Sequence, residues 1–254
     1  MYLRIIFNYK SMNIFLTIII PCYNEKLTIE KLISKILKIK NIKKQIIIVD
    51  DYSSDGTREL IRKKLSTRVD KVIYHNKNMG KGASIKSASK YILGNIVIIQ
   101  DADLEYDPKD YYKLIKPISN NEYKVVYGSR VLDKSIFEEL NDFTHWIRIV
   151  GNYFLTKFSN FLNKQKLTDA HTCYKVFEAK LFKKILIKEN NFNFCPEITT
   201  KLSNLKCKII EVPISYSGRS YKSGKKISSI DGLRALKTII KYKFVDKKNL
   251  KTES

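Results

Sequence analysis

The sequence predicts an α/β fold: a Rossmann-like, mostly parallel central sheet flanked by helices. Three observations predict it. Short β-branched runs recur without polar alternation, the pattern of strands buried on both faces. Each run leads through a loop into a helical stripe, and the cycle repeats four times with crossovers long enough for parallel pairing. The runs also end in acids, most plainly Ile96-Val-Ile-Ile-Gln-Asp-Ala-Asp-Leu-Glu105, where an apolar strand gives way to Asp101, Asp103 and Glu105. Right-handed crossovers bring such strand ends to one edge of the sheet, where open α/β sheets collect their ligands.

Residues 15–20 form the first expected strand, broken by Pro21-Cys-Tyr-Asn-Glu25. Residues 27–40 put Ile29, Leu32, Ile33, Ile36 and Leu37 on one stripe, an amphipathic helix. The second strand, 45–49, runs into Asp50-Asp-Tyr-Ser-Ser-Asp-Gly-Thr57, whose Ser and Asp side chains suit the cap of a helix from Thr57. A short strand at 71–74 precedes His75-Asn-Lys-Asn-Met-Gly-Lys-Gly82, which opens a helix reaching about residue 93. Its glycines fit either a backbone approaching phosphate or a plain helix-entry turn; neither a GxGxxG nor a Walker loop is present. After the acid-ended strand, 108–118 is expected to be helical and 124–127 a strand leading to Gly128-Ser-Arg130.

In the second half, residues 141–163 carry Phe143, Trp146, Ile147, Val150, Phe154, Phe158, Phe161 and Leu162 at helical spacing. That stripe fits core packing, or a membrane-facing helix with Arg148, Lys157 and Lys164 near lipid phosphates. Residues 173–177 read as extended, 180–187 and 196–205 as helices, and 208–216 as a late strand. A basic, glycine-broken loop, 217–226, precedes a closing helix at 230–244.

At 254 residues the chain suits one domain, 14–244, between an N-terminal extension (1–13) and a flexible tail (245–254). Lys and Arg number 48 against 25 acids, a net charge of +23, which fits a polyanionic partner or a merely solvated lysine-rich surface. Acids at successive strand ends exclude a nucleic-acid groove, which would repel them. Cys22, Cys173, Cys195 and Cys207 form no CxxC pair, so a reduced, cytoplasmic setting is expected. No apolar run approaches the ~18 residues of a membrane span, and no small-residue cleavage site follows the first dozen residues. Asp101, Asp103 and Glu105 offer hard oxygens that suit Mg²⁺ or Mn²⁺, although a solvated acidic turn has the same residues.

Taken in order, several stretches are familiar. Pro21-Cys-Tyr-Asn-Glu25, Val49-Asp-Asp-Tyr-Ser-Ser-Asp-Gly-Thr57, Asn78-Met-Gly-Lys-Gly82, Asp101-Ala-Asp103 and Gly128-Ser-Arg130 come first. Asp169-Ala-His-Thr-Cys-Tyr-Lys175, Pro196-Glu197, Glu211-Val-Pro-Ile214, Gly218-Arg219 and Gly224-Lys-Lys226 follow. The chain resembles, over roughly 15–244, the family 2 glycosyltransferases of GT-A fold, on the branch of the dolichol- and polyprenyl-phosphate sugar synthases. The resemblance implies a nucleotide-sugar half (14–130) and an acceptor half (131–244) with acceptor-side helices and a basic loop. It implies that Pro21, Tyr23, Glu25, Val49 and Asp51 line the nucleotide pocket, joined by Lys81. Asp101, Ala102 and Asp103 would sit by ribose and diphosphate, with Asp103 the direct metal ligand and Asp101 and Glu105 further candidates. Arg130, Arg219 and Lys225 would hold phosphates. Two positions depart from relatives: Glu105 stands where many have Gln, and Cys195 where close bacterial relatives often have Glu.

The implied reaction moves a sugar, with inversion, from a nucleotide diphosphate sugar to a polyprenyl phosphate at the cytosolic membrane face, the protein being peripheral. A phosphate monoester, with a second pKa of ~6, is an anion at neutral pH and needs no general base. The alternative acceptor, a sugar hydroxyl, would need one. Glu197 is the sole candidate, and a helix-start role explains it equally well. Asp169 positions an Arg or the acceptor, or is a turn residue. His75 and His171 lack a partner at ligand spacing and are not expected to bind metal.

Overall fold

The computed structural model describes residues 14–132, 143–218, 229–247 and 250, with backbone only at 143–149, 229 and 230. Seven strands form one sheet in the order β3-β2-β1-β4-β6-β5-β7. β1 (Phe15–Cys22) is central to its first half, parallel to both β2 (Lys43–Asp50) and β4 (Ile96–Ile99), and β3 (Lys71–Tyr74) lies parallel to β2 at the edge. Leu16, Ile18, Ile19 and Ile20 of β1, Ile47, Ile48 and Val49 of β2, and Val97 and Ile98 of β4 have no solvent exposure. Burying each such side chain contributes roughly 1.5–3 kcal/mol, so these runs drive the assembly.

Helix α1 (Ile29–Leu37) buries Ile29, Leu32, Ile33 and Ile36 as the stripe predicts; Leu37, assigned to that stripe, is instead 42 % exposed at the helix end. α2 (Thr57–Leu60) runs on into a π-helical turn at 61–65 that buries Ile61 and Leu65. α3 (Lys81–Ala88) ends in a 3₁₀ turn at 89–91, short of the expected residue 93. α4 (Tyr111–Ser119) follows a 3₁₀ turn that Asp107 caps through the Lys109 amide.

One strand changes the expected topology. β6 (Lys175–Glu178) inserts antiparallel between β4 and β5 (Val125–Ser129), and β7 (Ile209–Pro213) completes the sheet parallel to β5. β5 is therefore not the neighbour of β4. Because β6 is reversed, the loop before it, 164–174, reaches the same rim as the carboxyl ends of the other strands. Gln100, fully buried just past β4, accepts hydrogen bonds from Tyr111 and Tyr174 hydroxyls at 2.7 Å each and ties α4 to that loop.

α5 (Phe143–Asn163), α6 (Ala179–Lys184), α7 (Phe194–Asn204) and α8 (Ser229–Ile240) complete the second half, and α8 packs against α5 and α7. Past α8, two of the described residues make contacts with the rest of the domain. Asp246 meets Lys188 at 2.5 Å, and Leu250 forms an isolated bridge with Ile185. Among the described residues no helix is long and apolar enough to cross a membrane.

Candidate active site

The loops after β1 and β2 are stitched together. Asn24 donates its amide to Ser53 Oγ (3.0 Å) and accepts from the Ser54 amide (2.9 Å), while the Glu25 amide donates to Thr57 Oγ1 (2.9 Å). Pro21 and Tyr23 stay partly exposed beside this seam, and Glu25, 7 % exposed, accepts from the Thr28 hydroxyl at 2.9 Å. Val49 and Ala102, 0 % and 3 % exposed, turn their side chains into the core. Contact with a ligand from these two positions is restricted to backbone.

Asp51 is buried, and its carboxylate is already engaged. It accepts from the amides of Met79 (2.9 Å) and Gly80 (2.7 Å), and His75 Nδ1 lies at 2.7 Å. An ionised carboxylate only accepts, so Nδ1 carries the proton; Nε2 then faces Ser87 Oγ at 2.9 Å. Asp51 thus organises the β3–α3 loop, with His75 bridging it to Ser87.

The glycines of that loop make room for protein. A Cβ on Gly80 (φ +93°) would meet Asn191 Oδ1 at 2.2 Å and Asn190 O at 2.5 Å; one on Gly82 would meet Glu189 O at 2.2 Å. The Ala83 amide donates to Asn190 O. The space that a phosphate-cradling loop would need is filled by the α6–α7 connection.

α3 instead delivers Lys81 to the end of β4. Its ammonium sits 2.6 Å from Asp101 and 3.3 Å from Cys173 Sγ. Burial opposes both charges, but the ion pair, its hydrogen bond and the neighbouring groups together outweigh it: Lys81 stays well above its ordinary pKa and Asp101 below its own. Burial, reinforced by Asp101, pushes the Cys173 thiol well up. Asp103, partly exposed, turns Oδ1 back to the Glu105 amide (3.1 Å). Glu105 Oε2 accepts from Tyr216 (2.9 Å), and Glu105 O accepts the Ser217 amide.

The three candidate metal-binding acids stand in different surroundings. Asp101 is committed to Lys81 and Glu105 to Tyr216, and among the described residues no three His, Cys, Asp or Glu side chains converge on one point.

Arg130, at the end of β5, forms a two-pronged pair with Asp169: Nε to Oδ2 at 2.6 Å and Nη2 to Oδ1 at 2.8 Å, with the Arg130 amide on Oδ2 at 3.3 Å. Asn152 of α5 adds Nδ2 to Oδ1 at 3.3 Å, and Tyr216 places its ring 5.2 Å from the guanidinium. Burial alone would raise the Asp169 pKa; Arg130 overrides it and holds the carboxyl at about 2. Asp169 is thus a positioning residue, not a turn filler. Sequence reasoning assigned no role to Tyr216, two residues before Gly218-Arg219, or to Lys175. Lys175 is fully buried, donates to the carbonyls of Ala170 and Thr172, and lies 4.3 Å from the Tyr127 ring. Burial lowers its pKa. His171 is pushed down to about 4 by burial and then by Lys175, so it is neutral at physiological pH.

Glu197 is 1 % exposed and spent: it accepts from the amides of Lys188 (2.7 Å) and Glu189 (2.9 Å) and pairs with Lys201 at 2.6 Å. Its place is structural. Arg219 and Lys225 lie outside the described residues.

Known proteins resemble this chain in sequence and in fold. The family model described as glycosyl transferase family 2 matches residues 17–186. An uncharacterized protein of Methanocaldococcus jannaschii is 29 % identical over 235 residues, 89 % of this chain and 91 % of that one. The dolichol-phosphate mannosyltransferase of Pyrococcus furiosus is 26 % identical over 89 % of this chain, which spans 64 % of that longer enzyme. In structure, the glucosyl-3-phosphoglycerate synthase of Mycobacterium tuberculosis, solved with Mn²⁺, UDP and phosphoglyceric acid, superposes with a TM-score of 0.69 at 14 % identity, over 91 % of this chain and 79 % of that one. With its mixed seven-stranded sheet of GT-A type, the chain belongs to glycosyl transferase family 2.

Proposed function

We propose that the protein transfers a sugar, with inversion, from a nucleotide diphosphate sugar to a polyprenyl phosphate. The observation that carries this reading is the convergence, on one sheet rim, of the Lys81–Asp101 pair, the Asp103–Glu105 turn and the Arg130–Asp169 pair. The first half of the chain supplies the nucleotide side through Pro21, Tyr23 and Glu25. The second supplies the acceptor side, with Arg219 and Lys225 as further phosphate holders.

A cation taking one protein oxygen, from Asp103, and its other ligands from diphosphate and water fits this donor set, since Mg²⁺ keeps several waters and binds through one or two carboxylates. When bound, Mg²⁺ or Mn²⁺ neutralises charge gathering on the departing diphosphate. The chain's own part is orientation. Asp169 fixes the planar Arg130 fork, suited to paired phosphate contacts, and Lys81 balances Asp101 so that the rim does not repel an anion. A phosphate acceptor is favoured over a hydroxyl because the one candidate base, Glu197, is buried and fully engaged.

Two mixed stripes support attachment to a membrane. Phe154, Lys157 and Phe161 recur at helical spacing on α5, with Lys164 just past its end, and Phe154 is 65 % and Phe161 81 % exposed. Leu233, Lys237, Ile240 and Phe244 do the same on and just past α8, with Leu233 63 % and Phe244 59 % exposed. Apolar side chains with flanking lysines match a lipid interface whose phosphates meet the ammonium groups.

Thermal-shift screening with GDP-mannose, UDP-glucose and UDP-GlcNAc, each with Mn²⁺, is expected to identify the donor; a ligand at 100 times its Kd stabilises by roughly 2.7 kcal/mol. The radiolabelled donor is then offered phosphatidylglycerol vesicles containing undecaprenyl phosphate, or a saccharide acceptor. Label in an acid-labile lipid supports the reading, and label confined to soluble glycan overturns the acceptor assignment. The protein should also pellet with these vesicles at low salt and release as salt rises; failure to pellet in low salt removes the membrane from the account.

A further inference from the structure

Tyr52 follows Asp51 directly and sits in the left-handed region, φ +66°. That conformation costs a non-glycine residue roughly 1–2 kcal/mol, and bulky residues adopt it rarely. The residue is 50 % exposed. Its ring is backed by the Arg58 guanidinium, 5.3 Å from the centroid, and the same guanidinium lies 5.5 Å from the Tyr74 ring. Arg58 cannot drift: Nε is 2.6 Å from the fully buried Asp50, and Nη2 donates to His75 O. A strained, half-exposed aromatic is thus propped on a fixed cation at the rim of β2.

Its neighbours narrow what it serves. Asp51 is 3 % exposed and engaged by two amides and His75, whereas the ring of Tyr52 beside it is open to a ligand. Met79, whose amide Asp51 holds, is 39 % exposed and adds a polarisable edge. A flat ring fixed in place suits a flat heteroaromatic ligand, and fixing the ring beforehand lowers the cost of binding.

We propose that Tyr52 is a stacking platform for the nucleobase of the donor, a specificity-determining contact that rests on the transferase reading above. Base–aromatic stacking lost to alanine weakens binding by roughly ten-fold or more.

The test measures binding of UDP, GDP and inorganic pyrophosphate, each with Mn²⁺, to the full chain by calorimetry, alongside Tm. Tyr52→Ala and Tyr52→Gly are expected to weaken the bound nucleotide about ten-fold while leaving pyrophosphate unchanged, and Tyr52→Phe should bind as the parent does. Tyr52→Gly should not lower Tm, because glycine relieves the backbone strain. Unchanged nucleotide affinity in Tyr52→Ala overturns the proposal. So does a Tm loss in Tyr52→Gly with intact binding, which would make the ring a cover for Arg58. If the parent chain binds neither UDP nor GDP, the transferase reading falls and takes this one with it.

Discussion

Asp169→Asn is expected to lower Tm by about 10 °C and to abolish measurable transfer. The carboxylate is fully buried and its partner, Arg130, is 21 % exposed, which leaves the asparagine variant with a largely enclosed guanidinium stripped of its counter-charge. Breaking a buried pair from one side costs about 3–5 kcal/mol, and in a chain of this size each kcal/mol shifts Tm by roughly 2–4 °C. Differential scanning calorimetry and the lipid-label assay check the two parts. Arg130→Lys keeps the charge but loses the fork that meets both carboxylate oxygens, so it should retain more stability than activity. The double replacement Arg130→Met with Asp169→Leu should regain much of the lost Tm and no activity. Recovery of both would mean that the pair is scaffolding alone.

The pH sign follows from the same contact. Arg130 holds Asp169 at about 2, below an unfolded carboxyl near 4. The pair's contribution is therefore complete above pH ~4 and is lost as pH falls through about 2. A decline of activity between pH 7 and 5 cannot come from this carboxylate.

Much of the fold was legible because it rests on local pattern. The run Lys71–Tyr74 is a strand over the predicted residues, and β1, β2 and β4 follow their apolar runs closely. The reversal of β6 was not legible. Residues 173–177 read as extended, but strand direction is set by what the sheet leaves unpaired between β4 and β5, and no local signal encodes that. This one reversal brings Asp169 and Cys173 to the rim. The glycines at 80 and 82 left two readings open for a related reason: a missing Cβ shows that something approaches closely, not whether it is phosphate or, as here, the backbone at 189–190. Glu197 looked like a possible base because its type permits one; burial and three donors remove it. Lys175 gave no warning, since a lysine at full burial is rare enough that sequence pattern assigns it to the surface.

The acids after β4 are where type and environment separate most sharply, and a pair of substitutions tests the separation. Asp103→Asn is expected to reduce kcat by about 10²–10³, the usual loss when a group stabilising transition-state charge is removed, and to raise the Mn²⁺ concentration needed for half-maximal rate. Glu105→Gln should leave both quantities nearly unchanged. The amide keeps an acceptor oxygen for the Tyr216 hydroxyl, and the main-chain bond from Ser217 to Glu105 O does not depend on the side chain. Were Glu105 a metal ligand, loss of its charge would weaken the cation and shift the Mn²⁺ titration as Asp103→Asn does. Parallel titrations of the two variants therefore decide whether Glu105, standing where many relatives carry Gln, serves the metal or only joins the acid loop to the strand-end segment at Tyr216. The observation behind the second outcome is the 2.9 Å contact from the Tyr216 hydroxyl to Glu105 Oε2.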